Sequence, residues 1–322
     1  MSNNNLAPIA QTLFGKFPTR MWRKEKDTFL SYSEQEFRNM GYEDKEIQIQ
    51  EGKSGLGLKY KNLVVGSPDA DVLVTAHYDT PSRNGYVFFL QPIFGETLGF
   101  IAFGIVSFAV FSILPFVTSR LLAGFEIPLS NWIGIFFVWI VMLTCFFIKN
   151  KNNHNDNTSG VLGVFDIAVR TAQNPELKGK VAFVLFDQEE IFLPGLSFGC
   201  LGSRGFAQWR KQNYPKRANG KVINLDCIGN ADMLTIISKK NHSACDEIFN
   251  YFQNKGFNAK QMISGGADHS SFENGVSLIY QKRSLLGPLY IPRMHTRRDK
   301  ICNAEQIERL GEVVCQYITE KI

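Results

Sequence analysis

No two of the six cysteines (Cys145, Cys200, Cys227, Cys245, Cys302, Cys315) form a CxxC pair, and none belongs to a tight His/Cys cluster. A thiolate metal site and a dithiol redox motif are both unsupported by that spacing. The stretch Met1–Phe17 has no charged segment followed by an apolar core, the mark of a secretory leader, so the thiols are expected to be reduced. Basic runs are missing too. The net charge is only +5, and Arg283, Arg297 and Arg298 are scattered, so no nucleic-acid partner is expected. There is no internal repeat and no low-complexity tract. What remains is 322 residues, ample for a buried core and sized for one large domain or two small ones.

Alternating strand and helix patterns dominate the two ends of the chain. Residues 8–41 read as helical, with Phe29, Tyr32, Phe37 and Met40 near helical spacing and Gly41 as the stop. Lys45–Gln50 alternates as a half-buried strand would, and Asn62–Val65 and Asp71–Ala76 are short apolar runs. The β-branched stretch Val72–Ala76 fits a strand covered on both faces of a mostly parallel sheet. Later segments continue the rhythm: helix Thr158–Thr171, strand Val181–Phe186, helix Arg204–Asn213, strands Val222–Leu225 and Leu234–Ile237, helix Ala244–Lys255, strand Ser277–Tyr280 and helix Ile307–Ile318. This order predicts a three-layer α/β domain.

Acids and imidazoles recur just past the apolar strands or in the loops that follow. They are His77 and Asp79, Asp156 between two asparagines, the pair Glu189–Glu190, Asp226, and His295. Open α/β sheets bind ligands beyond the carboxyl ends of their strands. Two histidines and several carboxylates converging there suit zinc, single or paired. Taken singly each has an ordinary explanation: a loop histidine, an Asp-Asn turn, a solvated Glu-Glu pair. The weight lies in their shared topological position.

The stretches VLVTAHYDTP (72–81), NDNTSGVLGV (155–164), VAFVLFDQEE (181–190), CLGSRGFAQ (200–208), VINLDCIGN (222–230), GGADHSSF (265–272) and MHTRRDKI (294–301) carry a likeness. In sequence and order they resemble the co-catalytic dizinc peptidases of the aminopeptidase Y and aminopeptidase S type, relatives of glutamate carboxypeptidase and glutaminyl cyclase. The resemblance implies two zinc ions per chain. It pairs His77 and Asp226 on one, Glu190 and His295 on the other, and makes Asp156 the bridge, with a cis peptide bond after it. It implies that Asp79 orients His77, that Asp299 is a supporting carboxylate, and that Glu189 is the general base. Asp268 and His269 are candidates for substrate binding or for bracing their loop. Cys227 reads as a core residue. Two departures stand out: Asn155 replaces a usual acid, and residues 191–199 are an extra apolar loop before Leu201.

The largest departure lies between His77 and Asp156. Thr97–Ser119 and Ile127–Ile148 carry no charge over 23 and 22 residues, and a bilayer core takes about 20. Trp132 near the start of the second run suits an interface. Residues 85–150 are therefore expected to form an inserted transmembrane hairpin with helices about 97–119 and 127–148. It interrupts a peptidase domain made of 1–84 and 151–322. Lys149, Lys151 and Arg83 on the catalytic side, against Arg120 in the link, orient the catalytic domain to the cytoplasm of a cell-membrane protein. The expected activity is removal of N-terminal residues from peptides at a bilayer. Glutaminyl cyclisation and a non-catalytic membrane scaffold are the alternatives. Oligomeric state is not legible.

Overall fold

The computed structural model describes residues 6–54, 57–121, 147–190, 192–193 and 197–322. Its centre is a nine-stranded sheet: β1 (Ile47–Lys53), β2 (Lys59–Val65), β3 (Val72–His77), β4 (Val181–Phe186), β7 (Lys221–Leu225), β8 (Met233–Ser238), β9 (Ala259–Ile263), β10 (Gly275–Arg283) and β11 (Leu289–Tyr290). A separate two-stranded ribbon joins β5 (Phe192–Leu193) and β6 (Ser197–Phe198). The order is β1-β2-β4-β3-β7-β10-β8-β9, with β11 beside β10.

The continuous apolar runs of β3 and β4 are explained by two cores. Successive strand residues point to opposite faces. Val72, Val74 and Ala76 of β3 and Val181, Phe183 and Leu185 of β4 enter one core, under the helices Leu6–Lys16, Arg23–Asn39, Gly160–Ala172 and Ala304–Lys321. Leu73, Ala182, Val184 and Phe186 enter the other, against Phe206 of the helix Leu201–Asn213. The result is three layers. Tyr317 and Leu310 on one stripe of the last helix, and Val161 and Phe165 on the helix Gly160–Ala172, all lie in the first core.

The sheet is mixed rather than mostly parallel. Parallel pairing is found along β4-β3-β7-β10 and at β8-β9; pairing is antiparallel at β1-β2, β2-β4, β10-β8 and β10-β11. The connections decide this. Residues 226–232, between β7 and β8, are fewer than the dozen or so that a parallel crossover takes, so β8 runs back. The N-terminal helical stretch is broken at Pro18 into Leu6–Lys16 and Arg23–Asn39, because the residue before a proline is pushed out of helical geometry. Arg20, fully buried in the break, donates to Tyr78 O, to Phe17 O (2.9 Å) and to Thr158 Oγ1 (2.9 Å).

The insertion leaves and returns at one point. Ser82 bridges Lys149 antiparallel, and Arg83 N donates to Ile148 O at 2.7 Å. The first uncharged run falls in the helix Glu96–Leu121. Over residues whose side chains are described, no single helix is long and apolar enough to cross a membrane; Gly85–Phe94 and Glu96–Ser107, bent by 120° at the break between them, reach that length and composition only as a pair. The expected transmembrane hairpin is thus not shown, and residues 127–146 of its second helix lie outside the described residues.

Candidate metal centre

β3, β4 and β7 end side by side, and each hands over an acid or imidazole at that edge. His77 closes β3, Glu189 and Glu190 follow β4 after Asp187 and Gln188, and Asp226 follows Leu225 of β7. Asp156 arrives from the turn before the helix Gly160–Ala172, and His295 from the loop after β11. The donor atoms of His77, Asp156 and Asp226 lie within 4.8 Å of one another, as do those of Asp156, Glu190 and His295. A third grouping, His77 with Glu189 and Glu190, overlaps both. Asp156 is shared between the first two sets. His295 Nε2 is 3.1 Å from Asp156 Oδ2 and 3.3 Å from Glu190 Oε2. His77 Nε2 is 3.7 Å from Asp156 Oδ1 and 3.8 Å from Asp226 Oδ1.

The histidine orientations are fixed from behind. His77 Nδ1 is 3.2 Å from the backbone oxygen of Asp79 and 3.4 Å from its Oδ1. The same carboxylate accepts the backbone N–H of Glu189 (3.2 Å) and Glu190 (3.1 Å), so one side chain aims three site residues. His295 Nδ1 meets Asn84 Oδ1 at 2.6 Å, which turns Nε2 toward the acids. Gly85 makes that approach possible: a Cβ there would lie 2.8 Å from His295 O. Asp299 accepts the backbone N–H of Asn155 and of Asp156, each at 3.0 Å, and holds the turn in which the Asp156–Asn157 bond is cis. Asn155, at the position of a usual acid, accepts Gly229 N–H at 2.8 Å.

Charge balance shows what the cluster is suited to. Burial pushes the Glu189 carboxyl well above its ordinary value, and lifts Glu190 to about 7. Burial also acts on Asp156, but His295 and His77 outweigh it and hold that acid below its usual range. Both imidazoles feel burial in the opposite sense, and the surrounding carboxylates win, raising them well above the normal value. Acids and imidazoles packed this closely are the groups a divalent cation would neutralise. His77 Nε2 is a buried nitrogen with no hydrogen-bond partner, aimed at two carboxylates. A mixed nitrogen and oxygen donor set with such an orphan fits zinc.

All six residues (His77, Asp156, Glu189, Glu190, Asp226 and His295) line one cavity of about 200 Å³. A larger cavity of about 340 Å³ touches only Glu190 among them, so the smaller one contains the chemistry. His269 lines it, but its Nε2 meets Ser264 O (2.9 Å) and its Nδ1 meets Ser277 Oγ (2.8 Å). Asp268 is fully buried and is not part of the lining. Burial raises its carboxyl to about 7. Cys227 is buried, and the five described cysteines are unpaired.

Sequence reasoning passed over three contributors. Lys26 Nζ lies 2.6 Å from Asp187 and 4.0 Å from Asp79, a buried cation behind the Asp79 carboxylate. Arg20 and Asn84 are the others. Each meets its partner across a long stretch of chain and stands in no local pattern. Glu96, the residue just before the first uncharged run, is also on the cavity wall.

In sequence, no curated protein matches the chain. In structure it is similar to the LapA aminopeptidase of Legionella pneumophila (TM-score 0.60, 12% identity, 98% of this chain on 70% of that one). It is similar to LapB of the same organism (TM-score 0.61, 15% identity, 98% on 70%) and to the glutaminyl cyclase of Porphyromonas gingivalis (TM-score 0.60, 18% identity, 98% on 97%). At such identities these likenesses concern the fold. Residues 149–318 match the model of peptidase family M28, a segment that holds Asp156, Glu189, Glu190, Asp226 and His295 while His77 lies ahead of the insertion. By that match, over more than half its length, the chain belongs to peptidase family M28.

Proposed function

We propose that the chain is a zinc aminopeptidase whose one peptidase domain, 1–84 with 151–322, is interrupted by a membrane-anchoring insertion, 85–150. The observation that carries this is the pair of three-residue donor sets sharing Asp156, with Glu189 beside them. M28 peptidases are zinc-dependent. His77, Asp156 and Asp226 would hold one ion, and Asp156, Glu190 and His295 the second. When bound, the metals acidify a water and polarise the scissile carbonyl. Glu189 is left over once each ion has three protein donors. It takes the proton of the attacking water and delivers it to the leaving amine. Its position supports that role, because burial raises the carboxyl well above its ordinary value and so strengthens its hold on a proton. Asp79 and Asn84 keep the imidazoles aimed. The free amino end of a peptide, the residue to be removed, enters the cavity.

The test is a peptide-library digest with the purified full chain in detergent, alongside its zinc content. Trimming from the amino end with two zinc ions per chain is expected. Trimming from the carboxyl end, or none, refutes the assignment. The likeness to a glutaminyl cyclase along 97% of that chain supports a second function, cyclisation of N-terminal glutamine. It would appear in the same digest as loss of ammonia from the glutamine side-chain amide with no peptide bond cleaved, and with one zinc.

Exposed apolar side chains on the described part of the insertion support the anchor: Leu98, Phe100, Ile101, Ile105, and at its return Phe147 and Ile148. Retention in membranes after alkaline carbonate washing is expected. Release into the supernatant refutes it. Protection of the catalytic domain from protease added to intact cells tests the cytoplasmic orientation, and digestion from outside overturns it.

A further inference from the structure

The cavity that holds the metal-site residues is also lined by one residue of the insertion. That residue is Glu96, first of the helix Glu96–Leu121, and its Oε2 accepts Gln281 Nε2 at 3.0 Å. Gln281 is fully buried, and among the described residues no lysine, arginine or histidine pairs with Glu96. Burial raises the Glu96 carboxyl, with Asp226 adding to it. A partly buried acid on a cavity wall with no cation of its own favours a ligand that brings one. The same cavity is lined by aliphatic and thioether side chains: Ile237, Ile279, Ile291, Met262 and Met294.

Strand geometry sets the spacing. Asp226 N donates to Leu278 O (3.2 Å), so Asp226 of the metal site is level with Leu278 of β10. Ile279 and Gln281 share the cavity face of that strand. Gln281 lies three residues beyond Leu278, roughly 10 Å along the strand. An α-ammonium group, two bonds from the carbonyl to be attacked, does not span that strand distance. The distance is within reach of a long side chain carried by the same residue.

The geometry points to a cation-reading subsite: Glu96 takes the ammonium or guanidinium head of a lysine or arginine side chain on the residue to be removed, and the apolar wall takes its methylene stem. This rests on the aminopeptidase function proposed above. It makes the insertion part of substrate selection as well as anchoring. Long cationic side chains divide naturally into an apolar stem and a charged head, and a charge-assisted hydrogen bond is stronger than a neutral one.

The test compares wild type and Glu96→Gln, full chain in detergent, on lysyl, arginyl, leucyl and methionyl aminomethylcoumarins. Zinc content and Tm are checked for each protein. A fall in kcat/KM of about 30-fold or more for lysyl and arginyl substrates is expected, the size for removing one partner of a buried charge pair. Leucyl and methionyl rates are expected to stay within about threefold. Equal loss on all four, with zinc and Tm intact, overturns the side-chain assignment and puts the cation at the α-amine. No loss on any overturns the subsite. Calorimetric binding of lysinamide against leucinamide needs no turnover. If wild type cleaves nothing but binds lysinamide through Glu96, the subsite stands and the peptidase function falls. If lysinamide binds no better than leucinamide, or equally well to Glu96→Gln, the subsite falls whatever the rates.

Discussion

Replacing Asp79 by asparagine keeps the shape of the side chain and removes one acceptor and the charge. Every group that meets this carboxylate is a donor: the N–H of Glu189 at 3.2 Å, the N–H of Glu190 at 3.1 Å, His77 Nδ1 at 3.4 Å and, farther off at 4.0 Å, Lys26. Burial alone would lift the Asp79 carboxyl, but Lys26 and His77 outweigh it and hold it below its ordinary value. The amide NH₂ must therefore face a donor whichever way it turns. Turned toward Glu190 it forfeits that hydrogen bond and leaves His77 a neutral acceptor. A hydrogen bond to a charged group contributes about 1.5–3 kcal/mol, and about 1.4 kcal/mol is tenfold in a binding constant. The backbone oxygen of Asp79, 3.2 Å from Nδ1, still fixes the tautomer, which puts the effect at the lower end. Asp79→Asn is expected to weaken zinc by about tenfold, within the range for partners of metal ligands. It should lower kcat further, because the Glu190 backbone, next to Glu189, is released. Competition with a fluorescent zinc chelator measures the first and steady-state kinetics the second. Zinc affinity within twofold of wild type, with kcat unchanged, would refute the orienting role.

Glu189→Gln is expected to keep its zinc and lose about 10²–10⁴-fold in kcat, the range for general acid–base catalysis; metal analysis beside kinetics checks it, and retained activity removes Glu189 from the mechanism. Gly202→Ala should cost about 1–3 kcal/mol, because its Cβ would lie 2.3 Å from the backbone oxygen of Asp187; a denaturant midpoint unchanged from wild type would contradict that packing. Asp166, raised to about 6 by burial, binds its proton more tightly folded than unfolded. Its stabilising contribution is therefore full below the unfolded pKa and lost as pH rises through about 6. The stability of Asp166→Asn relative to wild type should rise between pH 4 and pH 7, as followed by urea denaturation, and a flat difference would count against the buried carboxyl.

His77, Glu190 and Asp226 were legible because each follows an apolar strand, and β3 and β4 announce themselves by feeding two cores at once. The edges were less legible. β9, Ala259–Ile263, is half exposed and carries lysine and glutamine, so its sequence lacks the apolar signal of an inner strand. β11 has only two residues, and its pairing with Lys282 and Arg283 depends on the returning loop. Strand direction depended on connection length more than on composition, which is why β8 reverses. Lys26 was invisible for a different reason. On a helix it reads as a solvated charge, and only its meeting with Asp187, 161 residues away, makes it a buried one.

The pinch at Ser82 and Lys149 makes residues 83–148 look like a cassette, detachable at its neck and replaceable by a short linker. Chemistry crosses that neck. Asn84 steers His295, Phe88 packs edge-on against the same ring at 4.9 Å, and Glu96 stands on the cavity wall. A clean excision at the neck would therefore cripple the enzyme it was meant to liberate. A soluble version has to keep the segment through Glu96 and cut only beyond it.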